Sequence, residues 1–327
     1  MRAYTMAMTL ARSVSGRRML GVVARLIVAG GLLVGLAAVS GCGTGGSGEE
    51  VTGSTKLAFY SVTWVDDSIF FLESGADADS DSATALVRVR AGGRPERIAV
   101  APPSCHNPED VDTSASALVA LGQHDLGQVV PCSDSVEPGR AALVRMNVRD
   151  DSTTPVVTID YDGWGVAWAA DAGIGYARAH SCGGGGIRAF MGSEVECFGG
   201  AEARFPVAAA NGGVVYLTTR CGTGHPEPSG TYAVCRHDGP GLDSTLRHGV
   251  RNPRGLAAHG DRLAVAGEID GKTGLWLLDG GKVRRLAVGD YRDLAVAPDG
   301  GNIAAVLRDE GLFSTRWSLR VLSMPPR

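Results

Sequence analysis

Six times along this chain a short apolar run, a turn rich in Asp, Asn or Gly, and a second apolar run recur in the same order. No other feature restricts the fold as much. The clearest copy spans residues 293–324: LAVA at 294–297, the turn PDGG at 298–301, NIAAVL at 302–307 and WSLRVL at 317–322. Earlier copies follow the same plan, with turn signals near positions 67, 123, 171, 212, 260 and 299. The mean step is about 46 residues, the repeat length expected of four-stranded propeller blades. One such sheet has two open faces and cannot bury a core alone, whereas a closed ring packs each sheet on its neighbours. After residue 41 no stretch of helical period competes with this pattern. The expected fold is therefore all-β: a six-bladed β-propeller of four-stranded blades over residues 56–327, preceded by a signal peptide and a flexible tether. The last copy stops after its third strand, so the missing outer strand is expected from residues 56–60.

The segment LAVAPDGGNIAAV at 294–306 resembles the repeat of TolB-type (WD40-like) β-propellers, in which a Pro-Asp-Gly turn links two hydrophobic runs. Asp261, Asn211 and Asp171 keep fragments of that turn in other copies. The resemblance implies a structural turn, with Asp accepting backbone hydrogen bonds and Gly supplying unusual backbone angles. It further implies an exported interaction platform, and it transfers no catalytic residue.

The N-terminus carries an address. Arg2, Arg12, Arg17, Arg18 and Arg25 form a basic region without acids, residues 26–39 are apolar, and Val39, Ser40, Gly41 and Cys42 form a lipobox. An apolar run of this length falls short of the roughly 20 residues that span a bilayer. The expectation is a lipoprotein signal peptide over residues 1–41, lipidation of Cys42 and a Gly/Ser tether over 42–55, placing the protein on the outer face of the bacterial cell membrane. Arg17 and Arg18 also suggest twin-arginine export, although Gly16 and Leu20 depart from the usual flanks.

Cleavage would remove five arginines and no acids, taking the formal charge from −4 to −9. Lys56, Lys272 and Lys282 are the only lysines, so nucleic-acid binding, which needs a basic footprint, is excluded. Cys105, Cys132, Cys182, Cys197, Cys221 and Cys235 form an even set in an oxidising compartment, which favours disulfides. Strand order puts Cys105 with Cys132, and Cys182 with Cys197, on one face of the ring. Cys235 falls within a strand running away from Cys221, which argues against that third pairing. Without a C-x-x-C spacing, no metal site is expected from these cysteines and their neighbouring histidines.

The same loop face collects Asp77, Asp79 and Asp81, the glycines at 183–186, and His106, His180 and His225. The three aspartates could hold Ca²⁺, but the Gly and bidentate Glu of an EF-hand loop are missing, so a solvated loop is expected and no cofactor. The glycines lack the Lys-Ser/Thr of a phosphate loop. The histidines would become acid–base or metal groups only by converging. Trp164, Trp168, Trp276 and Trp317 are expected to pack between blades. No Ser-His-Asp order or paired carboxylate marks an enzyme. The function expected is a binding or scaffold module for an envelope protein, glycan or small molecule; the alternative is a lactonase-like hydrolase with Ca²⁺ in the channel.

Overall fold

The computed structural model describes residues 48–75, 85–99, 115–132, 139–163, 165–182, 185–191, 197–200, 202–209, 212–311 and 314–326. Val39, Ser40, Gly41, Cys42, Asp77, Asp79, Asp81, Cys105, His106 and Trp164 lie outside them. Glu49–Ser54 forms β1 and Leu57–Val65 forms β2, which continues into a sheet with β3 (Ser68–Gly75), β4 (Ala85–Arg90) and β5 (Glu96–Ile98). The next two sheets are β6 (Ala117–Ala120) to β9 (Thr153–Asp160), through β7 (Asp125–Pro131) and β8 (Arg140–Asn147), and β10 (Val166–Ala169) to β13 (Cys197–Phe198), through β11 (Ile174–Arg178) and β12 (Ile187–Ala189). Then come β14 (Arg204–Ala208), β15 (Val214–Thr218), β16 (Thr231–His237), β17 (Asp243–His259), β18 (Arg262–Ile269), β19 (Lys272–Asp279) and β20 (Lys282–Val288), all in one sheet. The last sheet holds β21 (Asp290–Val296), β22 (Asn302–Glu310), β23 (Thr315–Ser323) and, at its outer edge, β1.

This is a propeller of antiparallel four-stranded blades, but the six separate sheets expected from the repeats are not what forms. Four sheets are four-stranded and one is seven-stranded. The reason lies in β17. Its first part pairs with β16 from Asp243 to Arg251, and its second part pairs with β18 from Gly255 to His259. Between them stand Asn252, in a left-handed conformation (φ 43°), and Pro253, which has no amide hydrogen to give. The chain turns there without leaving the sheet, so one long strand does the work of two.

The closing strand is also corrected. Glu49–Ser54 pairs with β23, Glu49 opposite Val321 and Ser54 opposite Trp317, whereas residues 57–65 form the innermost strand of the next sheet. Residues 49–54, expected to lie within the flexible tether, are thus a strand of the ring, and residues 56–60 are not its closing strand. Burial fits both assignments: Val51 packs into the core between β22 and β2 while Glu50 faces Arg316 and Arg320, and the register shift between Tyr60 and Thr63 puts Phe59 and Val62 of β2 in that same core.

Core residues fall between neighbouring sheets. Phe70, Leu72 and Leu86 of the first sheet meet Leu118, Leu126 and Met146 of the second. Tyr176 and Ile187 meet Val214, Tyr216 and Cys235, and Leu275 and Leu277 meet Ile303 and Ala305. Trp276 is buried in one such layer, while Trp317 lies under Arg292 and Arg308.

Disulfides link Cys182 to Cys197 and Cys221 to Cys235. The second overturns the objection drawn from strand direction. After β15 ends at Thr218, its hydroxyl bonds to the carbonyls of Gly199 and Arg220, turning the chain so that Cys221 comes back against Cys235 in β16. Cys132 is also disulfide-bonded.

Candidate functional site

Six segments, one from each turn of the repeat, surround the ring axis: β2, β6, β10, β14, the second part of β17, and β21. Their small and apolar side chains, such as Val62, Ala167, Val207, Ala257 and Ala295, leave a narrow channel between them. At the end where these strands begin, the channel opens into a mouth of about 330 Å³. Ser61, Ser116, Gly165, Phe205, Arg254 and Asp293 reach it from the six segments or the residues leading into them. Tyr161, in the connection from β9 to β10, places this mouth on the face of the ring where outer strands cross to the next inner strand.

The mouth owes its shape to local breaks in strand pairing. Register shifts occur around Ser61, Phe205 and Asp293, and each of these has a left-handed backbone, with φ 52°, 51° and 41°. A bulge bends its strand and re-aims a side chain, and left-handed non-glycine residues cost energy that surrounding packing must offset. At Asp293 the offset is visible. Gly255 lies so close that a Cβ on it would stand 2.9 Å from the Asp293 nitrogen and 3.2 Å from Leu294. Only glycine admits that approach.

Burial pushes the Asp293 carboxyl up to about 6, with a hydrogen bond from the Ser61 amide and the charge of Arg292 opposing it only in part. Asp293 makes no ion pair among the described residues. Arg292 is held instead by Asp290, with Nη2 2.9 Å from Oδ2, and lies over the Trp317 ring. Arg254 is exposed at the mouth and has no carboxylate partner among the described residues. The Ser61 hydroxyl accepts a hydrogen bond from the Leu118 amide at 2.7 Å, joining two neighbouring inner strands. Tyr161 is buried, and burial raises its hydroxyl strongly, so it stays protonated as a donor.

The residues singled out in the sequence do not gather here. His180 is exposed, and its amide donates to Asp160 Oδ1 at 2.8 Å, beside the Ser181 amide on Oδ2 at 2.9 Å. His225 is exposed in a different cleft, of about 670 Å³, where Glu227 holds His248 Nδ1 at 2.5 Å. No group of three His, Cys, Asp or Glu able to hold a metal occurs among the described residues. Conversely, Asp293, Arg254, Ser61 and Tyr161 went unmarked in the sequence. A signal existed: Ser61, Arg254 and Asp293 are polar residues set just ahead of, or inside, the apolar run of the innermost strand.

No family model matches the chain, and no curated protein does. Among solved structures it is similar to TolB from Acinetobacter baumannii, with a TM-score of 0.50 and 13% identity over 73% of this chain and 61% of that one. A putative TolB from Agrobacterium tumefaciens (TM-score 0.48, 14% identity, 83% of this chain and 91% of that one) is also similar. So is a puromycin-hydrolyzing peptidase from Mycobacterium tuberculosis (TM-score 0.48, 14% identity, 83% and 53%). The chain spans about three fifths of the Acinetobacter protein's length. At this identity the likeness shows the fold, a TolB-like β-propeller.

Proposed function

We propose that this chain is an exported, lipid-anchored binding propeller that captures its ligand at the channel mouth. The observation that carries the reading is the meeting, in one cavity, of a half-buried carboxylate, Asp293, and an exposed guanidinium, Arg254, neither of which has an ion partner among the described residues. The partly desolvated carboxylate costs free energy that a bound cation can recover, and the exposed guanidinium is free to take an anionic group. The seven-stranded sheet is read as two blades sharing β17, so that six blades surround the channel. A Ca²⁺-dependent hydrolase finds less support. Ca²⁺ takes 6–8 oxygen ligands, and the described channel lining offers one carboxylate, Asp293.

Lipidation at Cys42 is read from the lipobox formed by Val39, Ser40, Gly41 and Cys42. The disulfides agree with an oxidising, exported setting.

Thermal melts of the wild type, Asp293→Asn and Arg254→Gln against pooled amino acids, short peptides and oligosaccharides test the binding role. Stabilisation of the wild type that both variants lose supports it. A pool that stabilises all three equally, or none that stabilises the wild type, overturns it. For the anchor, Cys42→Ala is expected to abolish incorporation of a labelled fatty acid, and unchanged labelling would refute lipidation there.

A further inference from the structure

We infer that the channel mouth is a site for a small zwitterion, a free amino acid or short peptide whose ammonium meets Asp293 and whose carboxylate meets Arg254. This deepens the binding reading and rests on it. The two charges line the same cavity of about 330 Å³, at the small end of the range of ligand pockets. The third charge there, Arg292, is already satisfied by Asp290 and is not free for a ligand. An anion alone would leave Asp293 unpaired beside it. A cation alone would face Arg254. A ligand with both charges answers both groups, and a guanidinium offers a planar fork to a carboxylate.

The walls suit such a molecule. Ser116 and Ser61 sit on one side of the mouth, Phe205 gives an apolar surface, and Gly165, with φ 105°, presents backbone without a side chain. The backbone under Asp293 is set by the bulge and by the close approach of Gly255, which fixes where its side chain starts.

The test uses the full-length chain in detergent and calorimetric titration at pH 7.5 with four probes: dialanine, N-acetyl-dialanine, dialanine amide, and the doubly blocked form. Dialanine is expected to bind, and each single block to weaken binding about tenfold or more. In Asp293→Asn, acetylation should no longer matter; in Arg254→Gln, amidation should no longer matter. Melting curves of the two variants check that both fold. If the doubly blocked form binds as well as dialanine, or the variants still distinguish the probes, the zwitterion assignment is overturned. If no dipeptide form binds, this assignment falls, while the pooled-ligand melts decide the binding role of the mouth separately.

Discussion

Arg320 of β23 holds Glu50 of β1, with Nη2 2.9 Å from Oε2 and Nη1 3.3 Å from the Gly48 carbonyl, so the chain's last strand grips its first. Both side chains are partly exposed, and such a pair contributes at most about 1 kcal/mol. The main-chain ladder and the burial of Val51 matter more.

Removing residues 1–47 should leave the ring intact, whereas removing 1–54 should strip β1 and expose the β23 edge. Losing Val51 alone costs about 2 kcal/mol, which lowers Tm by roughly 4–8 °C in a domain of this size. The open edge should also promote aggregation. Melting and light scattering of the two truncations decide it, and identical curves would mean the ring closes elsewhere.

Cys221→Ser/Cys235→Ser opens a link between residues 14 apart and should cost about 3 kcal/mol through the unfolded chain. Since Cys235 is fully buried, a serine there adds an unsatisfied hydroxyl. Cys182→Ser/Cys197→Ser, which opens a link of similar span, should cost about the same entropic part. Urea titrations of the two double variants measure the difference, with the first expected to be the less stable.

Asp293→Asn should stabilise the folded chain near neutral pH. The folded carboxyl titrates at about 6, above its ordinary value of 3.8, so the folded state binds more protons than the unfolded state between those values. Stability therefore falls as pH rises from about 4 to 6, by on the order of 1–3 kcal/mol. The amide keeps an acceptor for the Ser61 N–H but cannot ionise, so the variant should lack this fall and the stability difference should grow in its favour across that window. Parallel slopes for the two proteins would contradict the assignment.

Gly255→Ala should destabilise by about 1–3 kcal/mol, because its methyl group would push on the Asp293 nitrogen and on Leu294. The displaced backbone belongs to the mouth, so any ligand bound there should weaken as well. Gly271→Ala makes a control at a glycine of positive φ (72°), where a Cβ meets nothing within 4 Å: it should lose stability through backbone strain without losing binding at the mouth.

The sequence by itself determined the β class, the repeat, the places where each inner strand turns back, and the even set of cysteines. Those features follow from local physics: alternation of side chains along a strand, the backbone freedom of Gly and Asp at turns, and chain order. Even the turn at 298–301 is legible down to Asp299, whose carboxylate accepts the Gly301 amide at 2.8 Å. What depended on partners distant in sequence was not legible. Residues 49–54 look like a tether until β23 offers them an edge, and β17 looks like two strands until its two neighbours hold both ends in one sheet. The Cys221–Cys235 link needed the turn at Thr218, which is made against Gly199, just past the end of β13. The mouth itself was hidden for the same reason. Asp293 and Arg254 stand apart in sequence as ordinary polar residues, and only closure of the ring, with a bulge under one and a glycine packed against it, brings their charges to a single cavity.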